Sequence, residues 1–265
     1  MDLLLEGKVA IVTGGSRGIG KAVARELAIE GVDVAIAARG LEALESSAEE
    51  LSSETGRRVL PVQVDTGDDD SVRAMVARVR EALGGVDILV NNAAVVGGGP
   101  LPPLEDLSEE IVWADMNVKV MGYLRCAQAV APLMRERGWG RIINISGLAA
   151  RISRSIVGSM RNVSVAAMTK NLADMLGPDG INVTVVHPGA TRTEAAEAMI
   201  AARAEAMGIE VKAMEEELAA SNSIRHFLSA SEVAWVVAFL ASPRSIAING
   251  DAVAAGGGVG DSIHY

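Results

Sequence analysis

Residues Val9–Gly20 read Val-Ala-Ile-Val-Thr-Gly-Gly-Ser-Arg-Gly-Ile-Gly, and they constrain the fold more than any other segment. An apolar, β-branched run ends at Thr13. Glycines follow at 14, 18 and 20, and helix-forming residues come next. A strand entering a helix through such a turn needs glycine for the tight bend, for close backbone approach to a ligand and for close helix–strand packing. The first turn of the helix then offers unpaired N–H groups and the positive end of its dipole, which suit a pyrophosphate. The spacing G-x-x-x-G-x-G in this context predicts a dinucleotide cradle built from Gly14, Ser16, Arg17, Gly18 and Ile19.

The rest of the chain repeats the same alternation. Strands are predicted at Val9–Thr13, Asp33–Ala37, Val59–Val64, Val86–Asn91, Gly140–Ser146 and Asn182–His187. Helices are predicted at Gly18–Glu30, Leu41–Ser53, Asp69–Leu83, Glu109–Arg137 and Ser159–Leu176. Strands this apolar are covered on both faces, as in a parallel sheet wound by right-handed βαβ units. The expected fold is therefore α/β, a Rossmann-type doubly wound parallel sheet of about seven strands with helices on both faces. A final helix at Ser231–Leu240 and a short strand near Gly250–Ala254 close it. The 265 residues carry no internal repeat or linker and are expected to form one domain, 1–265. With 49% apolar but only 3% aromatic residues, the core rests on small and branched side chains. The Gly- and Pro-rich stretch Gly97–Pro103 reads as a loop at the rim of a site. Thr191–Ser229, rich in Ala, Met and Glu, interrupts the alternation and is expected to be a helical lid.

Composition excludes several classes. A net charge of −10 argues against a nucleic-acid partner, which needs clustered Lys and Arg. The single cysteine, Cys126, rules out a disulfide framework or a cysteine-based metal centre. No metal site is expected. The start MDLLLEGK lacks a basic, apolar leader, and no run approaches the about 18 apolar residues of a membrane span. A cytoplasmic protein with a small-molecule substrate is the expectation.

The end of the second strand selects the cofactor. An acidic residue there would bind a ribose 2′-hydroxyl, but this chain has Ala38-Arg39. Arg39, with Arg17 in the glycine turn, offers two guanidinium groups suited to a 2′-phosphate. NADP(H) is expected rather than NAD(H).

Thr13-Gly14-x-x-x-Gly18-Ile19-Gly20 resembles the cofactor motif of short-chain dehydrogenases/reductases, and the resemblance runs along nearly the whole chain. Asp65-Thr66 resembles the adenine-contacting segment after the third strand. Asn91-Asn92-Ala93-Ala94 resembles the N-N-A-G motif, Asn117 the active-site Asn, and Ser146 the catalytic Ser. Pro188-Gly189-x-x-x-Thr193 resembles the segment that contacts nicotinamide and pyrophosphate. The resemblance thus implies cofactor contacts at Asp65, Thr66, Asn91, Ala93, Pro188, Gly189 and Thr193, and catalytic roles for Ser146 and Asn117. It also implies a homodimer or homotetramer packed through the helices of Glu109–Arg137 and Ser159–Leu176.

One part of the pattern breaks. The family places a Tyr after the catalytic Ser and a Lys one helical turn beyond it; the Lys lowers the phenol's pKa and holds the nicotinamide ribose. Registering on Met168-Thr-Lys170-Asn-Leu-Ala puts Gly158 at the Tyr position and Asn162 at the Lys position. Glycine moves no proton. Asn162 can hydrogen-bond a ribose hydroxyl but carries no charge. Ser159, Arg161, His187 and the terminal His264-Tyr265 are candidate replacements, and Lys170 is expected on the surface. Three functions remain open: an NADP(H)-dependent oxidoreductase acting on a carbonyl or alcohol, a nucleotide-binding but catalytically silent regulator or scaffold, and a non-redox lyase on the same fold.

Overall fold

The computed structural model describes residues 1–94, 103–153 and 155–260. Among these, one parallel sheet contains β1 (Val9–Thr13), β2 (Asp33–Ala38), β3 (Val59–Gln63), β4 (Ile88–Asn91), β5 (Gly140–Ile145), β6 (Ile181–Pro188) and β9 (Ala252–Ala255). A separate short pair is formed by β7 (Thr191–Arg192) and β8 (Leu228–Ser229). The seven strands of the sheet run in the order β3-β2-β1-β4-β5-β6-β9. β1, β4, β5 and β6 are buried along their whole length, which is why they read as continuous apolar runs. The order reverses between β1 and β4, so the crevice beyond their carboxyl ends lies at the switch point where such sheets bind ligands.

Helices cover both faces. On one, α1 (Gly18–Ile29), α2 (Leu41–Thr55) and α9 (Ala230–Ala241) bury Val23, Leu27, Leu44, Leu51 and Val237 against β1, β2 and β5. On the other, α3 (Asp69–Leu83), α5 (Gly122–Arg137) and the end of α6 (Ile156–Leu176) bury Met75, Val79, Val130, Met134 and Leu176. Local chemistry sets the boundaries. Asp68 caps α3 by accepting from the Ser71 N–H, Ser155 caps α6, and Ser229 with Glu232 closes a reciprocal capping box on α9. Gly56, Gly84 and Gly138 end α2, α3 and α5 in the left-handed conformation.

The single helix expected over Glu109–Arg137 is instead interrupted. α4 (Glu109–Met116) passes into a wider π turn at Asn117–Met121 before α5 begins. The Gly122 N–H reaches back five residues to the Asn117 carbonyl, so the turn holds one residue more than an α turn. The regular apolar spacing of the segment conceals that extra residue. The widened turn abuts the loop after β3: a Cβ on Gly122 would lie 3.0 Å from the Thr66 carbonyl oxygen, and the Thr66 hydroxyl donates to the Val118 carbonyl.

Thr191–Ser229 holds two helices, α7 (Glu194–Met207) and α8 (Val211–Ala220), which enclose a small cluster of Ile200, Met214 and Phe227. The two ends of the insertion pair in parallel as β7 and β8, which the sequence did not suggest. Arg192 ties β7 to α8 through Glu215 at 2.5 Å. The loop expected at Gly97–Pro103 lies, apart from Pro103, outside the described residues.

Candidate active site

The turn after β1 is built as a cradle. Gly14 is left-handed and donates to the Ala37 carbonyl at 2.6 Å, which bends the chain over the end of β2. A Cβ on Gly20 would stand 2.2 Å from the Gly14 carbonyl oxygen, so no other residue fits. Asn92 fastens the cradle from β4: its amide donates to the carbonyls of Thr13 (3.1 Å) and Gly14 (3.2 Å). The Thr13 hydroxyl accepts from the N–H groups of Asn92 and Ala93. The Ser47 hydroxyl on α2 holds the Ser16 carbonyl at 2.9 Å.

A cleft of about 490 Å³ opens over this turn, and ten of the sequence-predicted cofactor residues bound it: Gly14, Ser16, Arg17, Gly18, Ile19, Arg39, Asp65, Thr66, Ala93 and Thr193. Arg17 and Arg39 are exposed beside it, and among the described residues neither forms an ion pair. The Asp65 carboxylate accepts from the Gly67 N–H at 2.8 Å, which fixes the far wall. One acidic group intrudes. Glu194, at the start of α7, accepts from the Gly18 N–H at 2.9 Å and so occupies a phosphate-type position at the N-terminus of α1.

Three expected contacts lie elsewhere. Asn91 is fully buried, and its amide donates to Asn144 and to the Tyr123 carbonyl; it ties β4 to β5 and α5, while its neighbour Asn92 bounds the cleft. The strict alternation of a strand puts only one of two adjacent side chains toward the turn. Pro188 ends β6 and Gly189 packs against Gly256, where a Cβ would meet backbone at 2.8 Å; neither is among the residues that bound the cleft.

A second group of candidate residues, buried, follows β5. The Ser146 hydroxyl donates to the Asn162 carbonyl at 3.2 Å, so β5 and α6 meet at the two predicted residues. Gly158 and Asn162 are buried on one face of α6. Asn162 is only 3% exposed, and its side-chain oxygen has no hydrogen-bond partner among the described residues. Asn117 does not join them. Its amide donates to the Gly67 carbonyl and its oxygen accepts from Arg125, an anchoring role on the β3–α3 loop.

Lys119 reaches this buried group instead, a residue the sequence reading passed over. Its ammonium donates to the Ser146 carbonyl at 3.0 Å, with the side chain 4% exposed. Burial, then the neighbouring Arg161, push its pKa down to about 7, against a smaller opposing pull from Asp115. The available signal was a lysine inside the apolar run Met116–Tyr123, where a solvated residue would interrupt the buried side.

The other candidates are engaged or outside the site. Arg161 donates from one guanidinium nitrogen, Nη1, to both carboxylate oxygens of Asp115, at 2.7 and 2.8 Å. His187 is buried, and its Nδ1 accepts from the Gly147 N–H at 3.4 Å. Ser159 lies on α6 just beyond Gly158. Lys170 is exposed and pairs with Asp174 one turn on. His264 and Tyr265 lie outside the described residues. Among the described residues no cluster of His, Cys, Asp or Glu could hold a metal ion, and no helix is long and apolar enough to cross a membrane. Cys126 is buried, which pushes its thiol up to about 12.

Comparison with known proteins agrees with this architecture. The family described as short chain dehydrogenase matches residues 8–204. The chain is 33% identical to the short-chain reductase protein NovJ of Streptomyces niveus, over 94% of this chain and 93% of that protein. Among solved structures, the L-sorbose reductase of Gluconobacter frateurii complexed with NADPH and L-sorbose superposes with a TM-score of 0.93, at 32% identity over 99% and 100% of the two chains. A short chain dehydrogenase of Burkholderia cenocepacia in complex with NADP superposes with a TM-score of 0.81, at 36% identity over 96% and 98%.

Proposed function

This chain belongs to the short-chain dehydrogenase family, and we propose that it is an NADP(H)-dependent oxidoreductase acting on a carbonyl or alcohol group of a small molecule. The observation that carries this reading is the meeting of a glycine cradle and its two exposed arginines with the buried Ser146–Asn162 pair at the same sheet edge. The N–H groups of the turn and of α1 suit the pyrophosphate, Arg17 and Arg39 the 2′-phosphate, and Asp65 the adenine side. When bound, the nicotinamide supplies or accepts a hydride. Ser146 orients the substrate oxygen, and Gly158 and Asn162 stand where other family members carry the Tyr and Lys pair. Thr191–Ser229 serves as the lid over this edge.

Gly158 is also the feature that favours a second reading, a nucleotide-binding member without redox chemistry. Two measurements divide the readings. Intrinsic Trp fluorescence should report NADPH binding about ten-fold or more tighter than NADH, since only the former carries the group for the arginines. NADPH consumption should then be followed with diacetyl, ethyl acetoacetate and L-sorbose. Turnover of any of them supports the oxidoreductase; tight NADPH binding with all three inert supports the silent member. Equal affinities for the two dinucleotides would sink the cofactor assignment.

Glu194 sets a further expectation. A carboxylate on the Gly18 N–H must leave, or be repelled, when a pyrophosphate takes that donor. Glu194→Gln is expected to bind NADPH about ten-fold more tightly, a difference of the size of one hydrogen bond to a charged group. Isothermal calorimetry measures it, and unchanged affinity would place the glutamate outside the cofactor's path.

A further inference from the structure

We propose that Lys119 is the proton-transferring residue of the Ser146–Asn162 group, its amine taking the role that Gly158 cannot fill. The inference deepens the oxidoreductase reading and rests on it. Its foundation is geometric. The π turn at Asn117–Met121 brings Lys119 into the interior, where its ammonium meets the Ser146 carbonyl at 3.0 Å on the residue whose hydroxyl bonds Asn162. One acceptor uses one of its three N–H donors. Beside it, the buried Asn162 side chain presents an oxygen with no partner among the described residues. A buried amide oxygen held open in this way fits a hydroxyl brought by a ligand, such as a ribose or an alcohol. The ammonium and Asn162 thus meet at Ser146, one on its carbonyl and the other on its hydroxyl, from two helices, the π turn and α6, with the amine and the amide exchanged relative to the family's order.

The charged and titratable neighbours leave the amine free to exchange its proton. Asp115 on α4 is occupied by Arg161 of α6, and among the described residues no carboxylate pairs with the ammonium. Tyr123 of α5 donates its hydroxyl to the Ile145 carbonyl, and burial raises its pKa, so it stays neutral. His187 of β6 is held at Gly147. The low-dielectric setting brings the Lys119 pKa to about 7, where proton transfer to and from a substrate oxygen is most effective.

The step balances as follows. In reduction, a bound reduced nicotinamide dinucleotide would supply the hydride that the carbonyl carbon gains and would leave as the oxidised cation. The carbonyl oxygen gains a proton from the Lys119 ammonium. The neutral amine then takes a proton from water. Oxidation of the alcohol runs the same transfers in reverse.

The test uses the full chain, Lys119→Met and Lys119→Arg, with diacetyl, ethyl acetoacetate and L-sorbose as carbonyl probes. Both variants should bind NADPH within about two-fold of the parent yet lose about a hundred-fold or more in turnover of whichever probe the parent reduces. The Lys119→Arg protein keeps a cation that releases no proton, so its inactivity separates proton transfer from simple positioning of charge. The parent's turnover should fall as pH rises through about 7. A readout without turnover accompanies it. In lysine-labelled, cofactor-free protein the Cε resonance missing from Lys119→Met should titrate near 7 rather than near the ordinary 10.5. Variants that retain more than about a tenth of parental turnover, or a Lys119 midpoint near its ordinary value, would overturn the proposal while leaving the oxidoreductase reading intact. A parent inert toward all three probes would count against both.

Discussion

Lys119→Met should be more stable than the parent at about pH 6, and it should lack the parent's rise in stability at alkaline pH. The parent buries an ammonium whose folded pKa, about 7, lies below its ordinary 10.5. Between those values the unfolded chain keeps a proton that the folded protein has shed, so stability rises with pH there; below about 7 the full desolvation cost is present. Each pH unit in that window is worth at most about 1.4 kcal/mol. The window closes near 9, the ordinary value of the Cys126 thiol, because the unfolded chain then loses that proton before the folded one does. The expected parental gain from about pH 7 to 9 is therefore about 2 to 3 kcal/mol. Methionine has similar length and no charge, so the variant should start higher, by about 1 to 4 kcal/mol, and stay flat. Urea unfolding at a series of pH values measures both curves. Parallel curves would mean that Lys119 does not titrate in this range.

Arg39→Asp should exchange the dinucleotide preference. Arg39 stands at the end of β2, exposed at the cleft and without an ion pair among the described residues, as does Arg17 across the glycine turn. A carboxylate at that position repels a 2′-phosphate and can accept from a 2′-hydroxyl. NADPH affinity should fall about a hundred-fold, the scale of one or two charge-assisted hydrogen bonds, with NADH binding unchanged or improved. The parental NADPH affinity should also weaken with salt more steeply than that of the variant. Equal losses for both dinucleotides would mean that Arg39 supports the cleft wall rather than reading the phosphate.

The sheet was legible in the sequence because its inner strands are buried on both faces and therefore read as unbroken apolar runs. The cradle was legible because Gly20 meets backbone too closely for any side chain, while Gly14 and Gly18 take the left-handed conformation that favours glycine. What escaped the sequence was phase. Asn91 and Asn92 are adjacent and alike, and only the pleat decides which faces the turn. Asn117 and Lys119 stand two residues apart and so face opposite sides of the helix, one toward Gly67 and the other toward Ser146, and only the phase of the segment decides which side is which. β7 and β8 are two residues long, too short to leave a period, and exist because the ends of the insertion meet in space.

That widened turn has a consequence for how such a site can change. One residue of helix corresponds to about 100° of rotation, so an extra residue at Asn117–Met121 offsets everything before it from everything after it by that angle. Removing a single residue there, Val118 for example, would let α4 and α5 run on as one regular helix and would swing the residues upstream around to a new face. Lys119, downstream of the deletion, would keep its phase with α5 and its place at Ser146, while Asp115 and the rest of α4 would turn away from Arg161. One codon gained or deleted here would thus change the neighbours of a buried amine without substituting a single residue.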